Sequence, residues 1–178
     1  MELVALCDLA KETALKAGNF LVAQKIEPKK VESESGRDIK LELDRRTEEL
    51  IREELKVSHI GVQGEELASE VSEDIRWVVD PIDGTANYFR GLDQCCVSIA
   101  LMNGNECLIG VIYNFNTKEL YEATKGHGAK LNNQPIAVSN IKEKHKASLT
   151  TVFPASETVD SSYEFLDDLK GWKKIRMF

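Results

Sequence analysis

Positive charge is in short supply in this chain of 178 residues: 23 Lys and Arg stand against 30 Asp and Glu, for a formal net charge of −7. Without a basic surplus it lacks the surface that binds nucleic acid or an anionic membrane, so neither is expected as a partner. An anionic substrate stays open, because a bound metal ion reverses the local sign. Cysteine is sparse, and Cys7, Cys95, Cys96 and Cys107 form no CxxC spacing. A zinc site is therefore not expected; reduced, partly buried thiols of a cytosolic protein are. His59, His127 and His145 are too scattered for a metal or triad pattern. No apolar run approaches the ~20 residues a membrane span needs. The N-terminal MELVALCDLAKETALKAGNFLVAQK is broken by Asp8 and Glu12 and carries no basic leader, unlike a signal peptide. A cytoplasmic protein is the expectation. Internal repeats and low-complexity tracts are missing too.

What is present is globular. Hydrophobic residues at 42% and charged residues at 30% are too apolar a mix for disorder, and the length fits one domain or one domain plus part of a second. Leu3, Leu6, Cys7, Ala10, Ala14, Ala17, Gly18 and Leu21 recur at helical spacing and predict an amphipathic first helix. Gly18 within it points to close approach of another backbone. KIEPKKVESESGRD reads as a polar loop. A second helix is expected over DRRTEELIREELK, with Thr47, Ile51 and Leu55 on one face and Asp44 at the positive end. From there the chain becomes a series of short runs rich in Val, Ile, Leu and Tyr: IRWVVD, CVSIALM, CLIGVIYN and ELYEAT. FNTKE predicts a hairpin, with further turns at Gly126 to Gly128 and at Asn132-Asn133. Connections this short predict an antiparallel meander. LTTVFP reads as a last strand, followed by a helix over SSYEFLDDLKGW and a strand-like tail, KKIRMF. The order amounts to an α+β layered arrangement.

Acids collect where the chain changes direction. Asp38 and Asp44 lie in RDIKLELD, Glu65 and Glu66 follow Gly64 in IGVQGEE, and Asp80 and Asp83 lie in WVVDPIDGTANYFRG. Hard divalent cations such as Mg²⁺ take oxygen ligands of this kind. Pro81 holds Asp80 extended and aims its carboxylate past the strand end. The Ile82 carbonyl is free to point the same way as a neutral ligand, and Asp83 returns toward it. Gly84 lets a ligand come close to the backbone, and Thr85 reads as the N-cap of a helix near ANYF whose first N–H groups face an anion. An acidic surface turn that merely caps a helix would look much the same.

GEE followed by WVVDPIDGTANY resembles the inositol monophosphatase family of Mg²⁺-dependent, lithium-sensitive phosphatases, and the resemblance runs in order along essentially the whole chain. It implies a layered α-β-α-β-α sandwich of the sugar-phosphatase type. It implies two or three Mg²⁺ ions held by Glu65, Asp80, the Ile82 carbonyl and Asp83. Glu65, Thr85 and Asp44 would be catalytic: Glu65 helps activate the attacking water, Thr85 orients it, and Asp44 supports Thr85 from behind. Asp83 and the backbone amides of Gly84 and Thr85 would bind the substrate phosphate, while Glu66 would have no metal role. The implied reaction is direct hydrolysis of a small soluble phosphate ester such as inositol-1-phosphate, with a phosphorylated metabolite as partner, in a homodimer.

One feature of the family has no match. Its later Trp-Asp segment supplies a further metal ligand, whereas neither Trp77 nor Trp172 precedes Asp here. The expectation is that residues 1–178 form the N-terminal portion of such a domain, with the site at 65–85 and a C-terminal α/β portion beyond; a natural short form that turns over nothing is the alternative. Fructose-1,6-bisphosphatase, histidinol-phosphate phosphatase and 3′-phosphoadenosine 5′-phosphate phosphatase share the metal turn, and ANYFRG resembles the inositol branch more. The haloacid dehalogenase motif DxDGT places its aspartates two apart rather than three. A non-enzymatic interaction module on an inherited fold is the remaining reading.

Overall fold

The computed structural model describes residues 2–24, 31–35, 38–67, 74–151 and 169–177. The chain divides into two compact units, residues 1–136 and 137–178. In the first, helix α1 (Leu3–Ala23) buries Leu6, Cys7, Ala10, Ala14, Ala17 and Leu21, the stripe that the spacing predicts. Small residues on that stripe let the helix settle close to the sheet. The neighbour at Gly18 is not another backbone, as the sequence led one to expect. The Tyr113 ring and the Phe115 Cβ occupy the space a Cβ would need.

The polar segment after α1 is not simply a loop. Val31–Ser35 forms strand β1, paired antiparallel with β2 (Asp38–Leu41). β1, VESES, has no hydrophobic alternation to announce it, and the alternation of β2, DIKL, is only four residues long. Helix α2 (Glu42–Leu55) begins two residues before Asp44 and buries Leu43, Asp44, Thr47, Glu48, Ile51 and Leu55. A 3₁₀ turn at Lys56–Ser58 ends it.

The remaining strands of this unit form one seven-stranded sheet, in the order of the sequence. They are β3 (Val62–Gln63), β4 (Ile75–Asp83), β5 (Cys96–Asn103), β6 (Glu106–Asn114), β7 (Glu119–Thr124), β8 (Gly128–Leu131) and β9 (Gln134–Ile136). All pairs are antiparallel except β3 with β4, which is parallel, so the meander holds from β4 onward. Asn132 and Asn133 both take left-handed backbone conformations, φ 47° and 65°, as a tight two-residue hairpin turn requires.

Both helices pack on the same sheet. Trp77, Val79, Val97, Ile99, Leu101, Ile109, Val111 and Tyr113 are buried in the core beneath them. Two polar tips inside the core are matched: the Trp77 indole donates to Ser58 Oγ at 3.0 Å and the Tyr88 hydroxyl donates to the Leu21 carbonyl at 2.9 Å. Helices on a largely antiparallel sheet are the α+β layering that the element order predicts.

In the second unit, β10 (Ser148–Thr151) pairs in parallel with β11 (Lys174–Met177). The strand-like tail that the sequence predicts is thus a strand, with β10 as its partner. Most of the predicted helix SSYEFLDDLKGW lies outside the described residues; its end, Leu169–Gly171, is a turn. Among the described residues, no helix is long and apolar enough to cross a membrane.

None of the four cysteines forms a disulfide: Cys7 and Cys95 are buried, Cys96 is half-buried and Cys107 is exposed. Iodoacetamide at pH 8 is therefore expected to modify Cys107 at least ~10-fold faster than any other cysteine, which peptide mass spectrometry over a time course would show. Faster labelling of Cys7 or Cys95 would mean the core opens in that region.

Candidate active site

Strand β4 carries the opening acids of the site, and it does not stop at Asp80. It runs on to Asp83, with Asp80 opposite Ser98 and Asp83 opposite Cys96. Three steps along β4 thus face two along β5, a β-bulge at the proline, which has no N–H to offer the ladder. Because Ser98 and Cys96 share a face, both aspartates stand on it too. Ile82, 2% exposed, turns the other way into the core.

The Ile82 amide donates to Asp80 Oδ1 at 3.1 Å, so the turn holds its first carboxylate from within. Glu65 follows β3, whose register sets Val62 beside Trp77 and Gln63 beside Val78. Continuing that register brings Glu65 level with Asp80. The electrostatics agree: the Asp80 carboxyl is pushed up from 3.8 to about 7, first by burial and then by the negative charges of Glu65, Asp83 and Asp44, against the Ile82 hydrogen bond. Glu65, Asp80, Asp83 and Asp44 are thus near neighbours. They are not closed around a point, however: among the described residues, no three His, Cys, Asp or Glu side chains are grouped tightly enough to hold a metal ion.

Thr85 departs from its expected part. Gly84, in the left-handed region at φ 87°, stands at the N-cap position, and Thr85 is the first residue of helix α3 (Thr85–Arg90). Its hydroxyl makes no cap bond. Asp44 Oδ1 at 3.0 Å and the Ile82 carbonyl at 2.9 Å are its acceptors, the latter a reach of three residues back along the chain. Asp44, 2% exposed, sits in the first turn of α2 and aims at Thr85. Gly84 is obligatory on two counts. Its φ disfavours any side chain, and a Cβ would lie 2.7 Å from the Gln94 carbonyl oxygen.

Cys96 adjoins the site, with its Sγ 3.7 Å from Asp83 Oδ2. Burial, then the Asp83 charge, pushes the thiol up to about 12, so it is neutral at physiological pH.

Glu48 is a residue the sequence reading passed over. It is fully buried, and its carboxylate accepts from the Glu66 and Leu67 amides at 2.7 and 3.3 Å and from Arg52 Nε at 2.8 Å. A signal was available: positions 44, 48, 51 and 55 fall on one helical stripe, so Glu48 shares the buried face with Ile51 and Leu55. Glu66 enters this network through its main chain.

Comparison with known proteins follows the same outline. The sequence profile of the inositol monophosphatase family matches residues 3–176. A protein of Xylella fastidiosa named Nus factor SuhB is 38% identical over 150 residues, covering 82% of this chain and 54% of that protein. Inositol monophosphatase 3 of Solanum lycopersicum is 37% identical over 151 residues, covering 81% and 56%. The chain therefore spans about half the length of the curated relatives it matches. The crystal structure of extragenic suppressor protein suhB from Bartonella henselae superposes with a TM-score of 0.86 at 30% identity, over 98% of this chain and 70% of that one. That likeness extends the layered α+β arrangement to the family's sandwich fold. With the profile matched from the first helix to the last strand, the chain belongs to the inositol monophosphatase family.

Proposed function

We propose that this chain carries the metal and phosphate site of a Mg²⁺-dependent phosphomonoesterase that hydrolyses a small soluble phosphate ester such as inositol-1-phosphate. The observation that carries the reading is the convergence on Asp80: burial, and then the charges of three further carboxylates, hold its proton to about pH 7. Acids gathered at such a cost suit a site whose charge is completed by a hard cation. Glu65, Asp80, the Ile82 carbonyl and Asp83 would hold Mg²⁺, two or three ions in all. When bound, the ions neutralise the phosphate ester and acidify water.

The chain's own groups do the rest. With its hydroxyl proton given to Asp44 and the Ile82 carbonyl, Thr85 Oγ1 has a lone pair that would accept a hydrogen bond from a water between Thr85 and Glu65, orienting it. The first N–H groups of α3 have no acceptor within the helix and would hold phosphate oxygens, with Gly84 leaving room for them. Asp83, beside them, would reach both cation and substrate.

Phosphate release from inositol-1-phosphate, fructose-1,6-bisphosphate and adenosine 3′,5′-bisphosphate, each with and without Mg²⁺, tests the proposal. The expected result is Mg²⁺-dependent turnover fastest on inositol-1-phosphate. Preference for another ester would move the protein to a different branch, and no turnover with any would overturn the enzymatic reading. The same proposal includes lithium inhibition, a cytoplasmic location and a homodimer, the last checked by sedimentation.

Nus factor and suppressor protein, the names of two relatives, are not names of phosphatases, and this keeps a second reading in play: an interaction role on an inherited fold. It predicts that Asp80→Asn leaves the protein's function unchanged.

A further inference from the structure

Glu48 and Gly64 meet at the base of the loop that carries Glu65. A Cβ on Gly64 would overlap the Glu48 carboxylate, so the loop backbone lies directly on that group. Beyond the contact, Glu48 Oε2 takes the Glu66 amide at 2.7 Å and Oε1 takes the Leu67 amide at 3.3 Å. Arg52, one turn along α2, donates through Nε to Glu48 Oε1 at 2.8 Å and through Nη2 to the Leu67 carbonyl at 3.2 Å. Two side chains of α2 thus hold the loop by two of its amides and a carbonyl. A fully buried carboxylate is costly to place without such partners, so its hydrogen bonds fix the geometry closely.

We infer that Glu48 is a positioning residue: with Arg52 it clamps the main chain of residues 64–67 so that the Glu65 side chain faces Asp80. The inference rests on the metal reading above. It also gives the first residue of GEE a physical reason, since only glycine leaves space for the carboxylate beneath the loop. Glu65 itself has no part in the clamp, and its carboxylate stays available for other work. Groups that orient metal ligands typically change metal affinity about 10–100-fold when removed.

Glu48→Gln keeps the volume but turns an amide NH₂ toward donors, where one of the two oxygens stood. Gly64→Ala attacks the same contact from the loop side. Two readouts are needed: hydrogen exchange of the Glu66 and Leu67 amides, and affinity for Mn²⁺ followed by electron paramagnetic resonance. In each variant, exchange at those amides is expected to rise at least ~10-fold and Mn²⁺ affinity to fall ~10–100-fold. Unchanged exchange would overturn the clamp. Faster exchange with unaltered Mn²⁺ affinity would overturn the positioning role while leaving the hydrogen bonds real. A wild-type chain that binds no Mn²⁺ would instead overturn the proposed function, and with it the claim that Glu48 serves a metal.

Discussion

On the proposed function, Asp80→Asn is expected to lower Mg²⁺-dependent phosphate release by at least ~10³-fold, since it would remove a ligand charge and with it several kcal/mol of transition-state stabilisation. The same change has the opposite effect on metal-free stability. In the folded chain the Asp80 carboxyl holds its proton to about 7, against 3.8 ordinarily. Folding therefore favours the protonated acid. The stabilisation is complete below pH 4 and is lost as pH rises through 7, where the buried charge must be borne among its like neighbours. Asparagine never ionises. Above pH 7 and without metal, the variant should be more stable than wild type by roughly 2 kcal/mol, allowing for partial exposure. Below pH 4 the two should converge. Saturating Mg²⁺ should reverse the order, because only the wild type gains from binding. Thermal melts at pH 4 and 8, with and without Mg²⁺, check all four conditions. A variant less stable than wild type at pH 8 in chelator would show that the acids do not crowd Asp80.

Gly84→Ala should cost about 2–4 kcal/mol of stability, as positive-φ strain and a backbone overlap combine. At φ 87° an alanine is strained by itself, and its Cβ would meet the Gln94 carbonyl at 2.7 Å. Relief requires moving either the Asp83–Thr85 turn, which belongs to the candidate site, or the Gln94–Cys95 backbone, which abuts it. Activity should fall further than stability implies. Denaturant unfolding measured beside turnover separates the two effects; an alanine variant within 0.5 kcal/mol of wild type would show that the turn relaxes freely.

Much of this was legible in the residues themselves. The β-branched runs from Trp77 to Thr124 announce their strands because burial on one face imposes a period of two. The first helix is equally plain, since small apolar residues at three and four spacings have few other uses. DPIDGT marks the place of the site. The β1–β2 hairpin escaped because VESES carries no apolar stripe and DIKL is too short for its alternation to stand out, while a backbone ladder leaves no imprint on side-chain pattern. The partner of the tail strand escaped because parallel pairing joins segments some 23 residues apart, from Thr151 to Lys174. Thr85 was read as a cap because serine and threonine so often are; only the position of Asp44, 41 residues earlier, shows where its hydroxyl goes. Glu48 hid among the many glutamates of α2, although its place on the apolar stripe distinguishes it from Glu49 and Glu53.

The extra residue in β4 bears on any attempt to move this site elsewhere. Acids at odd separation in a regular strand emerge on opposite sides, so DPIDGT pasted into an unbroken ladder would send one aspartate outward and the other into oil. Deleting Pro81 from the native chain would instead restore an even count: Asp80 and Asp83 would keep one face and Ile82 the other, but the bulge that shapes the turn between them would be gone. What is portable is the out-of-phase pair of strands together, the interrupted one and the uninterrupted neighbour that sets its count.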